Sequence, residues 1–161
     1  MEKVRSTSWR SLLIAALSVS ATASPAEEAT VADEVRNRFV GAWRLLWLEE
    51  PGPDGNVHRA DCIGMFVFTR DGHASVQVMY RNAQAQAATG PVQYAQGGYE
   101  ATFGRYEVDP STRTFTYHVE GAMVRRLIGM DLVRSFEFSG NQLIVKSANP
   151  DERWRVAWEH Y

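Results

Sequence analysis

Short apolar runs separated by turn residues fill the chain from Gly41 to its end. Within the runs apolar and polar residues tend to alternate, the period-2 pattern of half-buried strands. Eight runs have this character: WRLLWLEE, CIGMFVFT, HASVQVMY, YEATFGRYEV, TFTYHVEG, DLVRSFEF, QLIVKSA and RWRVAWEHY. Without a long helical pattern between them, they predict an all-β fold, an eight-stranded antiparallel up-and-down β-barrel. Such a barrel closes its own edges and either fills with side chains or encloses one small ligand.

The connections between the runs support hairpins. RDG, DPSTR and SGN are turn sequences between neighbouring runs, and Asp-Gly between two apolar runs is a strong hairpin signal. The Ala- and Gln-rich segment 81–98 is too long for a plain loop, so a short helix or a flexible lid is expected there. In the segment 122–130, AMVRRLIGM, we expect one helical turn to pack against the barrel through Val124, Leu127 and Ile128.

The N-terminal residues divide into two parts. Lys3, Arg5 and Arg10 precede the apolar run SLLIAALSVS and the small residues ATAS, which predicts a secretory signal peptide over residues 1–23. Its removal would leave a periplasmic or secreted protein without a membrane span. The alternative is an uncleaved N-terminal anchor, although the apolar run is short for a bilayer.

Residues 24–38 are predicted to form a polar tether and a short helix, and residues 39–161 the barrel. Val31, Val35 and Phe39 recur at a spacing of four and therefore share one helical face.

The net charge and the cysteine content disfavour some classes of function for this chain. The formal net charge of the full chain is −2, and loss of the signal peptide, with three basic residues and one acidic residue, makes it −4. An acidic domain without a basic stripe is a poor candidate for binding nucleic acid or anionic membranes. Cys62 is the only cysteine, so the chain forms no internal disulfide, and a buried small hydrophobe is the favoured interpretation over a nucleophile.

Ordered motifs along the chain resemble one known family. Gly41, Trp43 and Leu45 form a G-x-W-x-L opening, and five further matches follow in order: Thr69 with Asp71 and Gly72, 75–77, 103–109, 118–121, and Arg134 with Phe136 and Glu137. Over residues 39–158 the chain is similar to the bacterial and fungal lipocalin-like domain family, of the calycin type. The resemblance implies a barrel around a cavity, with Arg155 packed over Trp43; it implies no particular reaction.

One hairpin leaves a question open. Its predicted register sets Gly104 opposite Tyr117 and Tyr106 opposite Phe115, which gives one apolar face and one mixed face. The mixed face carries Tyr99, Phe103, Arg105, His118 and Glu120. Either the apolar face forms the core and the mixed face meets solvent, or the mixed face lines a pocket in which Arg105 and His118 orient a ligand.

The second interpretation supplies most of the candidate site. Predicted ligand-binding residues are Phe66, Phe68, Gln77, Met79, Tyr99, Phe103, Arg105, His118, Arg134 and Phe136, while Gly41, Trp43 and Arg155 are predicted to be structural. For Arg134, an alternative is a stem packed on the barrel with its head in water. No phosphate loop, nucleophile elbow or paired-histidine motif occurs, so neither a cofactor nor a metal is predicted.

Three functions remain open at this point. The leading hypothesis is an exported protein that binds a small hydrophobic or amphipathic molecule bearing a polar or acidic group. An isomerase, cyclase or hydratase is the alternative, with His118 as acid or base, Glu120 orienting it and Arg105 stabilising negative charge. The third is a periplasmic interaction or inhibitor module that uses the segment 81–98. The oligomeric state is not predicted.

Overall fold

The computed structural model describes residues 25–82 and 98–161. A helix precedes nine strands, and a 3₁₀ turn (Arg125–Leu127) lies between the sixth and seventh strands. The elements are α1 (Pro25–Phe39), β1 (Gly41–Pro51), β2 (Val57–Arg59), β3 (Cys62–Phe68), β4 (His73–Tyr80), β5 (Tyr99–Asp109), β6 (Thr114–Ala122), β7 (Asp131–Ser139), β8 (Gln142–Ser147) and β9 (Arg155–His160). The predicted signal peptide 1–23 and most of the segment 81–98 lie outside the described residues.

The strands form one closed antiparallel barrel. The sheet order is β2-β1-β3-β4-β5-β6-β7-β8-β9, and a further pairing between β1 and β9 closes the cylinder. Eight strands make up the barrel, which confirms the predicted fold. The short β2 is additional, because it pairs only with the end of β1, from Glu49 to Pro51.

Helix α1 closes one end of the barrel with its last residue. Phe39 is fully buried, and its ring meets four others edge-to-face at centroid separations of 4.9–5.5 Å: Phe68, Phe115, Phe136 and Phe138. This cluster is called the aromatic plug below. Only the end of the predicted apolar helix face that lies near the aromatic plug is buried. Val35 packs against the core, whereas Val31 is 53% exposed. The other end of the barrel, where β1 ends and β5 begins, is called the mouth.

The open hairpin question is decided in favour of the apolar face. In β5 and β6 the buried residues include Thr102, Val108, Phe115, Tyr117 and Val119, whereas Phe103 is 58% exposed. The mixed face therefore lies outside, and the interpretation that placed it in the pocket is wrong. From Gly104 onward the predicted register is wrong by two residues, a shift that preserves the faces: Gly104 is opposite Val119, and Tyr106 opposite Tyr117. A bulge between Phe103 and Gly104 makes the shift three residues for the pairs before it.

Two structural predictions also need correction. Arg155 does not pack over Trp43: it lies opposite Glu49, its Nε 2.6 Å from Glu49 Oε2, and its guanidinium lies over Trp47. Trp43 instead stacks edge-to-face on His160 at 4.7 Å. In the 122–130 segment, Val124 and Leu127 are buried as predicted, but Ile128 is 45% exposed.

Candidate functional site

A cavity occupies the barrel interior between the aromatic plug and the mouth. Its water-accessible volume is about 110 Å³, and every barrel strand contributes to its wall. Most of the lining is apolar: Leu45, Leu48, Phe66, Val76, Val78, Phe115, Leu127, Leu132, Val145, Trp154, Val156 and Trp158. The polar lining consists of Glu50, Glu100, Thr102, Tyr117 and Arg134. Mainly apolar walls with a few polar groups are typical of small-molecule sites.

Glu100 enters the cavity because of strand alternation. It lies two residues before the buried Thr102 on β5, so its side chain shares the inner face. Within the described part of the chain, its carboxyl group forms no hydrogen bond or ion pair. Burial and the nearby Glu50 raise the pKa of Glu100 to about 7, and Arg134 opposes this shift only in part. Near neutral pH the carboxyl group of Glu100 is therefore protonated in some of the molecules and ionised in the others.

Arg134 enters from β7, where it is opposite Phe115 on β6. Its guanidinium lies 5.0 Å from the centroid of the Trp154 ring, and Nη1 donates a 3.3 Å hydrogen bond to the carbonyl oxygen of Val133. Burial lowers the pKa of Arg134, while the charges of Glu152 and Glu100 raise it. Arg134 remains a cation at physiological pH, since the reference pKa of arginine is above 12.

Glu50 and Trp158 complete the polar wall. The Tyr80 hydroxyl donates a hydrogen bond to Glu50, whose pKa is raised by burial. Trp158, on β9, is 2% exposed, and its indole Nε1 has no hydrogen-bond partner among the described residues. A buried indole N–H without an acceptor is uncommon and costs free energy. Trp158 also lines the cavity, so its indole is one of the groups that a ligand would contact there.

A model of the lipocalin-like domain matches residues 40–159, which is most of the chain. The chain belongs to the lipocalin-like domain family. A crystal structure of a lipocalin-like protein from Bacteroides uniformis ATCC 8492 is similar at 12% identity and a TM-score of 0.47, covering 77% of this chain and 99% of the other. No curated protein sequence matches.

Four of the ten predicted ligand-binding residues lie inside this lipocalin-like barrel. Phe66 and Arg134 line the cavity. Phe68 and Phe136 are buried nearer the closed end, where they contact the ring of Phe39 as part of the aromatic plug. The interior position of Arg134 decides between its two predicted placements, because the side chain lines the cavity rather than reaching out into water.

The other six predicted residues lie on the outer face of the barrel, which corrects their predicted orientation: Gln77, Met79, Tyr99, Phe103, Arg105 and His118. The predicted acid–base group lies there too. Arg105 Nε is 3.0 Å from Glu120 Oε1, and His118 Nδ1 is 2.6 Å from Asp131 Oδ1. The side chains of Arg105 and Glu120 are 67% and 46% exposed, so neither reaches the cavity.

The sequence prediction missed Glu50, Glu100, Tyr117 and Trp158 as lining residues. The signal was present in the alternation of β5, because the inner set that contains Thr102, Tyr106 and Val108 also contains Glu100. The sequence prediction placed Glu100 on neither face of the hairpin. Glu50 and Trp158 gave no such signal, since their roles depend on the β1–β9 closure.

Residues 25–82 and 98–161 provide neither a metal site nor a membrane-spanning helix. These residues contain no group of three or more side chains suited to hold a metal ion. Neither helical segment among them has the length and apolar content to cross a membrane. Burial raises the pKa of the Cys62 thiol to about 11, which disfavours the thiolate that a nucleophile requires.

Proposed function

We propose that this lipocalin-like protein is exported and binds a small, largely apolar molecule in its barrel, with the polar group of the ligand held by Glu100, Arg134 and Trp158. The observation that carries the proposal is the cavity itself, in which unpaired polar groups are set in apolar walls. Export is supported by the signal-peptide pattern of residues 1–23.

The size of the cavity limits the ligand. Its volume of about 110 Å³ is comparable with the roughly 150 Å³ of an engineered apolar cavity that binds benzene. A ligand whose apolar part is about the size of one benzene ring therefore fits between the aromatic plug and the mouth. A larger ligand would need to extend through the mouth, beside Leu127 and Trp154.

Native mass spectrometry of the protein purified from its own periplasm tests the binding function. We expect a small co-purified molecule that is lost on denaturation. Val76→Phe fills the cavity and should reduce its occupancy at least tenfold. Val133→Phe is the matched control, because Val133 is 44% exposed on β7 and should leave occupancy unchanged. No bound molecule on the wild type, or equal occupancy in both variants, would contradict binding in the barrel.

Cell fractionation and N-terminal sequencing test the export. We expect the protein in the periplasm or medium with a mature N-terminus near Ser24; a cytoplasmic protein that retains Met1 would contradict it. The enzymatic alternative required His118 inside the cavity and is not carried forward, since His118 lies on the outer face. The interaction-module alternative depends on the segment 81–98 and stays a prediction.

A further inference from the structure

The positive and negative charges of the side chains that line the cavity are not equal in number. Two carboxyl groups, those of Glu50 and Glu100, face a single guanidinium, that of Arg134. Glu152, whose carboxylate accepts a 3.2 Å hydrogen bond from Trp154 Nε1, adds a further negative charge near Arg134. Buried charges are stable only when they are paired or neutralised. Among the described residues that line the cavity, the charges therefore sum to one negative in excess unless a cation or a proton compensates it, and Glu152 adds to this excess from beside Arg134.

We propose that the barrel cavity binds a small organic ammonium ion, whose charged nitrogen lies beside the Glu100 carboxylate and whose apolar part packs against the aromatic wall. This inference rests on the ligand-binding function proposed above and adds to it the charge class of the ligand. An ammonium ion brings the charged groups of the lining to two of each sign.

The position of Glu100 supports this assignment. Its carboxyl group is unpaired among the described residues, and the titratable groups that act on it electrostatically lie on three other strands: Glu50 on β1, Tyr117 on β6 and Arg134 on β7. Of these only Arg134 is positive, and it forms no ion pair with Glu100. Burial raises the pKa of Glu100 to about 7, so a proton can also compensate its charge near neutral pH. An ammonium group would compete with that proton for the same oxygen atoms.

The walls suit the apolar part of such a ligand. Phe66, Tyr117 and Trp158 line the cavity, and aromatic faces attract cations more strongly where water is excluded. The unpartnered Nε1–H of Trp158 is a donor, so a ligand that also carries a hydrogen-bond acceptor would satisfy it. A carboxylate ligand is disfavoured, because it would add a third negative charge beside Glu50 and Glu100.

Three ring compounds of similar size and different charge provide the test. Isothermal titration calorimetry would measure benzylamine, benzyl alcohol and benzoate at pH 6 and pH 8. We expect benzylamine to bind at least tenfold more tightly than the other two at pH 8. Its affinity should fall about tenfold at pH 6, because the proton on Glu100 competes with it. Titrations in buffers of different ionisation heat should show proton release on benzylamine binding at pH 6.

Glu100→Gln isolates the residue responsible. The variant should bind benzylamine no better than benzyl alcohol and should lose the pH dependence. Glu137→Gln is the control, since Glu137 is exposed on the outer face of β7. It should behave as the wild type, and circular dichroism would establish that both variants fold.

Three outcomes would overturn the proposal that the ligand is a cation. They are benzoate or benzyl alcohol binding as tightly as benzylamine, an unchanged preference in Glu100→Gln, and no binding of any probe. Binding of benzyl alcohol without preference for the amine would leave the ligand-binding function intact. That function fails separately, through the mass-spectrometric comparison of Val76→Phe with Val133→Phe.

Discussion

The indole Nε1 of Trp43 donates a 2.7 Å hydrogen bond to the carbonyl oxygen of Phe39. Phe39 is the last residue of α1, where helix carbonyl groups have no partner within the helix, and Trp43 is the third residue of β1. The bond therefore attaches the helix end to the first strand and holds the Phe39 ring over the closed end. In this protein the Trp of the Gly-x-Trp motif holds the Phe39 ring in its position at the closed end.

Phe39→Ala should destabilise the protein by about 3–5 kcal/mol, the usual cost of removing a fully buried phenylalanine. The ring contacts four other aromatic rings, so its loss would leave a void in the aromatic plug. Urea unfolding followed by tryptophan fluorescence measures the change. Val31→Ala on the exposed part of α1 is the control and should cost less than about 0.5 kcal/mol. A similar cost for the two variants would mean that the helix does not close the barrel.

Gly41→Ala should also destabilise the fold, because Gly41 lies at the same closed end of the barrel and is packed against His160. Gly41 has a φ of +137°, and a Cβ there would lie 2.3 Å from His160 Nε2. Gly129→Ala is the comparison, since Gly129 has a φ of +81° but open space around it. We expect a larger loss of thermal stability for Gly41→Ala and partial recovery when His160→Ala is added. No recovery in the double variant would assign the effect to backbone strain alone.

The strand pattern was sufficient to predict the barrel. Alternating runs and Asp-Gly turn chemistry are local signals, and the hairpins they specify leave few ways to close a sheet. The short β2 was not predicted, because Val57–Arg59 lies directly after a Pro- and Gly-rich turn cluster and depends on pairing with the extended end of β1.

The site was harder to predict because the hairpin carries aromatic residues on both faces. Phe103 and Tyr99 suggested an inner face, yet they lie outside, where Phe103 covers Gly121. Which face turns inward is set by closure across the whole sheet, which a single hairpin does not encode. Arg155 was misplaced for a similar reason, since a position in the last strand does not fix which residue of β1 lies opposite.

His118→Ala should leave ligand binding unchanged. The side chain lies on the outer face with Nδ1 near Asp131, and partly exposed ion pairs contribute about 0–1 kcal/mol. We expect the benzylamine affinity to stay within about twofold of wild type and the stability to fall by less than about 1 kcal/mol. Calorimetry and urea unfolding check both values. A tenfold loss of affinity in a folded variant would restore His118 to the site.

Glu100 should make the stability of the unliganded protein fall as the pH rises from about 5 to 8. Burial raises the pKa of Glu100 to about 7 in the folded protein, against an ordinary value of 4.5. Between these values the folded chain holds a proton that the unfolded chain has released, so raising the pH favours unfolding. The effect reaches about 3 kcal/mol if the full shift is realised. Glu50, whose pKa is also raised, acts in the same direction.

The Glu100→Gln variant separates this contribution from all others. Asp54, Asp71 and Asp109 have lowered pKa values, so their effects on stability fall at more acidic pH and are common to both proteins. Urea unfolding of the wild type and the variant at pH 5 and pH 8 gives the comparison. We expect the variant to gain stability relative to the wild type at pH 8 and much less at pH 5. Parallel pH profiles would mean that the pKa of Glu100 is not raised in the folded protein, and the tenfold weakening of benzylamine binding at pH 6 would then also be absent.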